Sequence, residues 1–510
     1  MIQVIAALVL VIPILAFIAV KVIDHRARNR FKKVSKIAKH DTMPSAGLLD
    51  MFYSFFINPF LKQKEHQSML VFNRYNKIGR DNGIYHSFFG TFDNINVVDP
   101  EAMKTVLLNP KTFPKFPLFL ASERGLISRF LGRNLVFTEG EEWRTQRHII
   151  NPAFYDMSKF YKAFDSHIDK CLDNLEKDAE TGPVNIPTHM TNMTIDILGM
   201  TVLGQDFGAQ DGRLDAVIDS YLFLMKTSFQ PLKILFSFLA TLPTKSNRDF
   251  NQHLDRFDKF VFDIIEKTQN KHKNGEVKED DPQTLLDLML LSQDDESGAK
   301  LSMKSLRDNI VVFFVAGHET TASSLGFEFY RLGEKPQIQQ KLYQEIKDTL
   351  NGDINNLTME LLLNMEYLDA FVKETMRFHP PATGVTGKIA AEDTTLCGYR
   401  IPKGTMISPS IYTVHHSDVY YGADVEDFRP ERFLGAEGKK IHRFAHVPFS
   451  AGLRVCIGNN FSLIEQKLFL VKLLMKYEVQ LTEGYQYKTQ MGTPIMCMDD
   501  NFSVNLKKRQ

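Results

Sequence analysis

The chain has 510 residues, 44% hydrophobic and 24% charged, an ordinary globular composition that excludes wholesale disorder. Lysine plus arginine and aspartate plus glutamate each number 61, so the formal net charge is zero and a nucleic-acid binder, which needs a basic face, is disfavoured. Four cysteines are too few for a disulfide framework in so long a chain.

An apolar segment at the N-terminus predicts a membrane anchor. Residues 4–20 form an uninterrupted apolar run that, at about 1.5 Å per residue, just reaches across the hydrocarbon core of a bilayer. A basic stretch follows this run, which holds that side in the cytoplasm. A cleaved secretory signal is the alternative, but its small-residue cleavage site is missing. We therefore expect residues 1–22 to be a single-pass transmembrane anchor and residues 23–47 a basic linker.

Beyond the linker, residues 48–510 are expected to form one mainly helical domain with a minor β part. Alternating segments at 84–98 and 395–411 predict short strands. Most of the stretch 157–377 has helical periodicity, and the absence of an interior proline from 302 to 334 predicts a single helix about 50 Å long. The charged stretch 271–281 predicts a solvated loop.

The predicted long helix contains the run Ala316-Gly317-His318-Glu319-Thr320-Thr321. Ala316 and Thr320 are one turn apart and share a face, and Gly317 would let a flat cofactor come close. An acid beside a hydroxyl is what proton delivery to bound oxygen requires. The alternative is an ordinary helix whose threonines hydrogen-bond to the preceding turn. A zinc site fails, because the second histidine of an H-E-x-x-H pattern is replaced by Ala322.

A second run lies near the C-terminus: Phe449-Ser450-Ala451-Gly452-Leu453-Arg454-Val455-Cys456-Ile457-Gly458. Cys456 precedes a helical pattern, and backbone N–H groups at a helix N-terminus favour a thiolate over a thiol. Gly452 and Gly458 allow tight turns, and Arg454 is placed to pair with a cofactor carboxylate. Taken alone, the run also fits a structural cysteine in a glycine-rich loop.

Two shorter patterns are weak by themselves. Trp143 and Arg147 are i,i+4 neighbours on a helix, a spacing that also fits a packing tryptophan beside a solvated arginine. Glu374 and Arg377 stand at i,i+3, which alone indicates a surface salt bridge of little energy.

Together these patterns resemble the cytochrome P450 family. The C-terminal run meets every position of that family's F-x-x-G-x-R-x-C-x-G haem signature, and the helical run meets its A-G-x-[DE]-T-T oxygen-activation motif. The other patterns follow in the family's order, and the resemblance spans about residues 45–510. It implies the eukaryotic microsomal type of the fold, in which a long central helix lies over a haem and a cysteine loop beneath it.

The resemblance also implies roles for individual residues. Cys456 would be the axial ligand of the iron in a haem b, Thr320 would hydrogen-bond the bound oxygen, and Glu319 would supply protons. Further contacts to the haem would come from Phe449, Gly458, Ala316, Gly317, Arg454, Trp143 and Arg147, the last two at one propionate. Glu374, Arg377 and Arg432 would form a buried charge network that supports the cysteine loop.

One position departs from the family pattern. Many members carry an arginine six residues after a Pro-Pro pair, where it contacts the second propionate. Here that offset falls on Gly387, followed by Lys388, which supplies a positive charge without the arginine fork. We expect Lys388 to be the propionate partner.

The implied activity is a haem-thiolate monooxygenase of a hydrophobic small molecule. No nucleotide-binding loop or flavin module is present, so electrons from NADPH would arrive through a separate NADPH–cytochrome P450 reductase, with cytochrome b5 as a second partner. The implied location is the endoplasmic reticulum membrane, in contact with lipid and facing the cytoplasm. A reductase-independent isomerase or dehydratase of hydroperoxides and a non-enzymatic haem carrier or sensor are the alternatives. The expected pocket walls are residues 116–128, 221–242, 311–315, 382–386 and 491–498, which suit a lipid, sterol, terpene or xenobiotic.

Overall fold

The structure is a computed structural model that describes residues 82–89, 92–116, 124–213, 216–228, 230, 233, 237–276, 284–293, 298–489 and 495–509. The predicted anchor at 1–22 and the linker at 23–47 lie outside the described residues, as do parts of three expected pocket walls.

Helices make up most of the described chain, in agreement with the predicted fold class. In chain order they are α1 (Pro100–Leu108), α2 (Leu126–Leu131), α3 (Gly140–Ile150), α4 (Tyr161–Ala179), α5 (Ile186–Leu198), α6 (Ala216–Ser228), α7 (Lys245–Lys273), α8 (Leu285–Leu291), α9 (Met303–Glu334), α10 (Pro336–Thr349), α11 (Met359–Asn364), α12 (Glu366–Phe378), α13 (Ile411–His415), α14 (Asp418–Tyr421), α15 (Gly435–Gly438) and α16 (Asn459–Lys476).

Within the described residues, the minor β part consists of short strands in three small sheets. The strands are β1 (Ile84–Phe89), β2 (Phe92–Val97), β3 (Val184–Asn185), β4 (Lys388–Ile389), β5 (Thr394–Leu396), β6 (Tyr399–Ile401), β7 (Met406–Pro409), β8 (Tyr477–Leu481) and β9 (Ser503–Lys508). One sheet has the order β1-β2-β7-β4, in which β2 and β7 run parallel and the other pairs antiparallel. The others are β3-β9-β8 and β5-β6. Both segments predicted to alternate therefore contain strands.

The predicted long helix is α9, whose 32 residues run through the larger core. Ser302 caps its N-terminus by accepting a hydrogen bond from the Ser305 backbone N–H at 3.1 Å. Among the described helices, α9 alone is long and apolar enough to cross a membrane, and 72% of its most apolar window is buried inside the protein. A helix that is mostly buried and covered by α5, α7, α12 and α16 is a core helix.

The predicted loop at 271–281 is wrong over its first three residues. α7 continues to Lys273 and includes Lys271 and His272 in its last turn. Cations in this position interact favourably with the negative end of the helix dipole, so a basic run extends the helix rather than ending it. Residues 277–281 lie outside the described chain.

Two apolar cores hold the described elements together. The larger core surrounds α9 and includes fully buried side chains such as Phe130, Phe164 and Phe371. The smaller core joins the four-stranded sheet to α1, with Ile95 and Val106 among its members. Because α16 packs against α9, the loop that precedes α16 is held next to the central helix.

Candidate active site

Cys456 lies in a tight loop that ends where α16 begins at Asn459. The Cys456 backbone N–H donates to the Phe449 carbonyl at 2.9 Å, which closes the loop on itself. Gly452 has a φ of 72°, and a Cβ there would lie 2.9 Å from the Leu107 carbonyl oxygen of α1, so only glycine fits this turn. The loop is therefore as sharply folded as its glycines predict.

The Cys456 thiol is accessible and yet lies within the body of the protein. Its side chain is exposed, but burial among the surrounding protein raises the pKa of the thiol. A hydrogen bond from the Gly458 backbone and the charge of Arg147 act in the opposite direction and lower that pKa. The helix N-terminus thus assists a thiolate without producing one by itself.

The motif turn of α9, Ala316–Thr321, contains solvent-accessible side chains in the middle of a mostly buried helix. Ala316 is exposed and Glu319 and Thr320 are half-buried, whereas Phe313 before the turn and Thr321 at its end are buried. The Thr320 hydroxyl donates to the Ala316 carbonyl at 2.6 Å, the bond expected of an ordinary helix, and its oxygen can still accept hydrogen bonds. Burial raises the pKa of Glu319 to about 7.

Helix packing explains why residue 317 is a glycine, and the sequence did not reveal this. A Cβ at Gly317 would lie 3.0 Å from a methyl carbon of Leu198 on α5. The missing side chain therefore lets α5 approach the central helix closely.

A second contact joins the motif turn to the base of the cysteine loop. The Thr321 hydroxyl oxygen lies 2.9 Å from that of Ser462, in the first turn of α16. Gln466 donates to the same Ser462 oxygen at 2.8 Å. Thr321 and Gln466 are buried and Ser462 is half-buried, so these hydrogen bonds hold the two helices together inside the protein.

The predicted propionate-binding residues come together beside the cysteine loop. The Arg454 guanidinium lies over the Trp143 ring, 3.8 Å from its centroid. Arg454 also pairs with Glu139 at 2.7 Å, and Arg147 donates to the Val455 carbonyl at 3.2 Å. α3 and the residue that precedes it therefore supply Glu139, Trp143 and Arg147 to the same place.

Lys388 belongs to this group, and so does Lys115, which sequence reasoning missed. A β-bridge pairs the two lysines, and the Lys115 ammonium donates to the Val136 carbonyl. Burial lowers the pKa of Lys388 to about 8. Burial also holds the pKa of Lys115 well below its usual range, and the charges of Arg454, Lys388 and Arg147 lower it further.

We call Lys115, Arg147, Lys388 and Arg454 the cation cluster. One carboxylate, Glu139, opposes these four cations in the interactions that perturb Lys115 and Lys388. Cations that are removed from water without a matching anion are costly, so this arrangement suits an anionic ligand. No sequence motif marks Lys115, because only the sheet topology brings it to Lys388.

Glu374, Arg377 and Arg432 lie together as a buried network below the loop. Arg377 Nε donates to Glu374 Oε2 at 2.7 Å, and Arg432 Nε donates to Glu374 Oε1 at 3.0 Å. The three side chains are at most 1% exposed. Arg377 also donates to the His415 carbonyl, and the His415 ring accepts from the Val447 N–H, both at 2.9 Å. The network thus reaches the chain just before the cysteine loop.

The sequence matches a known protein family over most of its length. A family model described as Cytochrome P450 matches residues 50–506. Cytochrome P450 4d2 of Drosophila melanogaster is 30% identical over 75% of this chain and 78% of its own length. Cytochrome P450 4V2 of Mus musculus is 28% identical over 80% of this chain and 79% of its own.

Solved structures share the fold. The cytochrome P450DA heme domain superimposes with a TM-score of 0.79 over 92% of this chain and 97% of that chain. The sequences are 20% identical, so this likeness shows the fold alone. The family model, in contrast, covers most of the chain and includes both motif runs. The chain is thus a member of the cytochrome P450 family, with the mainly helical fold and the haem cofactor that this family implies.

Proposed function

We propose that this protein is a haem-thiolate monooxygenase that inserts one oxygen atom of dioxygen into a hydrophobic small molecule. Electrons come from NADPH through a separate NADPH–cytochrome P450 reductase. The observation that carries the proposal is the cation cluster beside the loop of Cys456, in a chain of the cytochrome P450 family. This arrangement suits a flat dianionic cofactor that needs both a thiolate ligand and partners for two carboxylates.

The residues present fit a haem b. Its two propionates would neutralise most of the excess charge of the cation cluster, Arg454 and Arg147 with Trp143 at one propionate and Lys388 with Lys115 at the other. Cys456 would ligate the iron, and Phe449, Gly458, Ala316 and Gly317 would lie near the ring. When bound, a thiolate-ligated haem supplies dioxygen activation, because the thiolate pushes electron density onto the iron and favours O–O cleavage.

Glu319 and Thr320 handle protons in this proposal. A carboxyl whose pKa is about 7 is near the ideal for giving and regaining a proton at neutral pH. The Thr320 oxygen can accept a hydrogen bond while its own hydrogen stays on the Ala316 carbonyl. An isomerase or dehydratase of hydroperoxides needs no such proton delivery, and a haem carrier or sensor has no use for it.

The N-terminal part of the chain attaches the protein to a membrane in this proposal. Residues 1–22 anchor the protein in the endoplasmic reticulum membrane, residues 23–47 link the anchor to the domain, and the domain at 48–510 faces the cytoplasm. Cytochrome b5 is a second redox partner, and membrane lipid is the source of apolar substrates. A glycosylation tag after residue 510 should stay unmodified, and its modification would contradict this topology.

A substrate-library screen tests the function. The full chain is reconstituted in membranes with the reductase, and each compound is followed by optical difference spectrum and mass spectrometry. We expect a hydrophobic compound to shift the spectrum and to gain one oxygen atom only with NADPH and reductase. Turnover of a hydroperoxide without NADPH would establish the isomerase or dehydratase instead. Binding without any turnover would leave a carrier or sensor.

A further inference from the structure

A buried contact joins α6 to the motif turn of α9. The Tyr221 hydroxyl oxygen lies 2.8 Å from His318 Nδ1, and the two rings meet edge to face with centroids 5.4 Å apart. Tyr221 is 1% exposed and His318 5%. Because His318 immediately precedes Glu319, the contact attaches α6 to the turn that carries the proton-handling residues.

His318 Nδ1 has two partners, and the presence or absence of a hydrogen on Nδ1 decides which hydrogen bonds form. It also lies 2.8 Å from the Phe314 carbonyl oxygen. Burial lowers the pKa of His318 to about 4, so the ring is neutral near pH 7. A neutral ring nitrogen either donates a hydrogen or accepts one. A protonated Nδ1 donates to the Phe314 carbonyl and can share this hydrogen with the Tyr221 oxygen, whereas an unprotonated Nδ1 accepts from the Tyr221 hydroxyl and gives up the bond to the carbonyl. Loss of the tyrosine hydroxyl leaves only the donation to the carbonyl.

The hydroxyl is a polar group at the edge of an aromatic cluster. The Tyr221 ring contacts Phe130, Phe257 and Phe314 at centroid distances of 5.7 to 6.4 Å. Burial raises the pKa of Tyr221 well above its usual range, and the negative charge of Glu319 raises it further, so the two groups are within electrostatic reach. A phenylalanine in place of Tyr221 would keep these ring contacts and remove the hydroxyl alone.

We propose that Tyr221 is a positioning residue for the motif turn: through His318 it fixes the turn that carries Glu319 and Thr320, and so links the placement of α6 to proton delivery. The inference rests on the proposed monooxygenase function. The second half of α6 belongs to the expected pocket wall at 221–242. A substrate that contacts and shifts α6 therefore also shifts the motif turn through the Tyr221–His318 hydrogen bond.

The test compares Tyr221→Phe, His318→Leu and the double variant in the full chain, reconstituted with reductase and given the compound selected by the library screen. Tyr399→Phe is the matched control, since it removes a tyrosine hydroxyl that donates to Asn82 at 2.9 Å, in the β part of the molecule. Product and hydrogen peroxide are counted per NADPH consumed, so loss of folded protein does not change the ratio.

We expect Tyr221→Phe to lower product per NADPH about fivefold, the effect of one well-placed hydrogen bond, with the difference released as peroxide. The optical binding constant should stay within about twofold, and Tyr399→Phe should behave as the wild type. The double variant should lose no more than the larger single loss, because both changes break one bond.

An unchanged yield in Tyr221→Phe, or losses that multiply in the double variant, would overturn the inference and leave the monooxygenase function standing. A wild-type protein that makes no oxygenated product with NADPH and reductase would overturn that function, and the inference with it.

Discussion

Thr320 and Glu319 are adjacent residues with different proposed roles, and substitution of each residue distinguishes the two roles. Thr320→Ala removes a hydroxyl that the chain does not need for electron uptake, so NADPH consumption should persist. Product per NADPH should fall much further, by up to about 10²-fold, with hydrogen peroxide released instead. Glu319→Gln should slow NADPH consumption as well, because an acid is lost rather than a local hydrogen bond. Simultaneous assay of NADPH, peroxide and product checks both, and an unchanged yield in Thr320→Ala would refute its role.

Glu319 also makes stability depend on pH. Its pKa is raised from 4.5 to about 7 by burial, so between these values the folded chain binds more protons than the unfolded chain. The carboxyl therefore destabilises the fold increasingly as pH rises through this window, by up to about 3 kcal/mol. We expect Glu319→Gln to gain stability relative to the wild type from about pH 5 to pH 8, measured by urea unfolding. A constant difference would show that Glu319 is not desolvated.

Lys115 offers a test that needs no enzymatic activity. Replacing it with methionine removes a half-buried cation from a cluster with too few anions, so the haem-free protein should become more stable by about 1 kcal/mol. The same change should weaken haem retention, because a propionate partner is lost. Thermal unfolding of the haem-free chain and haem transfer to an acceptor protein measure the two effects. Lys111→Met, at an exposed site, is the control, and a parallel loss of stability and haem retention would contradict the account.

The sequence reveals site residues only where they belong to a contiguous pattern. Cys456 and Thr320 stand in runs whose spacing is visible. Lys115 and Tyr221 do not, because each meets its partner across more than ninety residues of chain, through the sheet and through the contact of α6 with α9. Pairings of this kind follow from the fold and carry no local signal.

At the scale of elements, Glu374 connects α12 to the chain before the cysteine loop. Glu374→Gln leaves Arg377 and Arg432 buried without their shared carboxylate, and removing one partner of a buried pair commonly costs about 3–5 kcal/mol. We expect a lower unfolding temperature and poor haem incorporation. Glu366→Gln, at the exposed start of the same helix, should change neither. Normal stability in Glu374→Gln would mean that the network is not structural.

Helices and strands that are marked by their own local sequence could be predicted. Those that depend on contacts with distant parts of the chain could not. Apolar composition and the absence of proline predict α9 to within one residue at its start, and Ser302 then provides the cap. The loop predicted at 271–281 overlaps the last turn of α7, because a basic run fits a loop and a helix C-terminus equally well. The two-residue strands β3 and β4 form only through their partners in the sheets.

The whole molecule brings distant parts of the chain to one site. The β-bridge between Lys115 and Lys388 brings these two lysines to the site. α3 contributes Trp143 and Arg147, and the loop before α16 contributes Cys456. The mainly helical fold and the family follow from the sequence patterns, because these patterns lie in the order that the fold requires. The charge balance of the site cannot be predicted from these patterns, because it depends on which cations lie near Glu139 in the folded chain.

The most direct test of the account is the absorption spectrum of the reduced full-length protein with carbon monoxide. Thiolate ligation by Cys456 predicts a red-shifted Soret band that Cys456→Ser abolishes. Cys397→Ser, which alters another exposed cysteine, should keep the band. A red-shifted band that persists in Cys456→Ser would contradict the assignment of the ligand and of the site built around it.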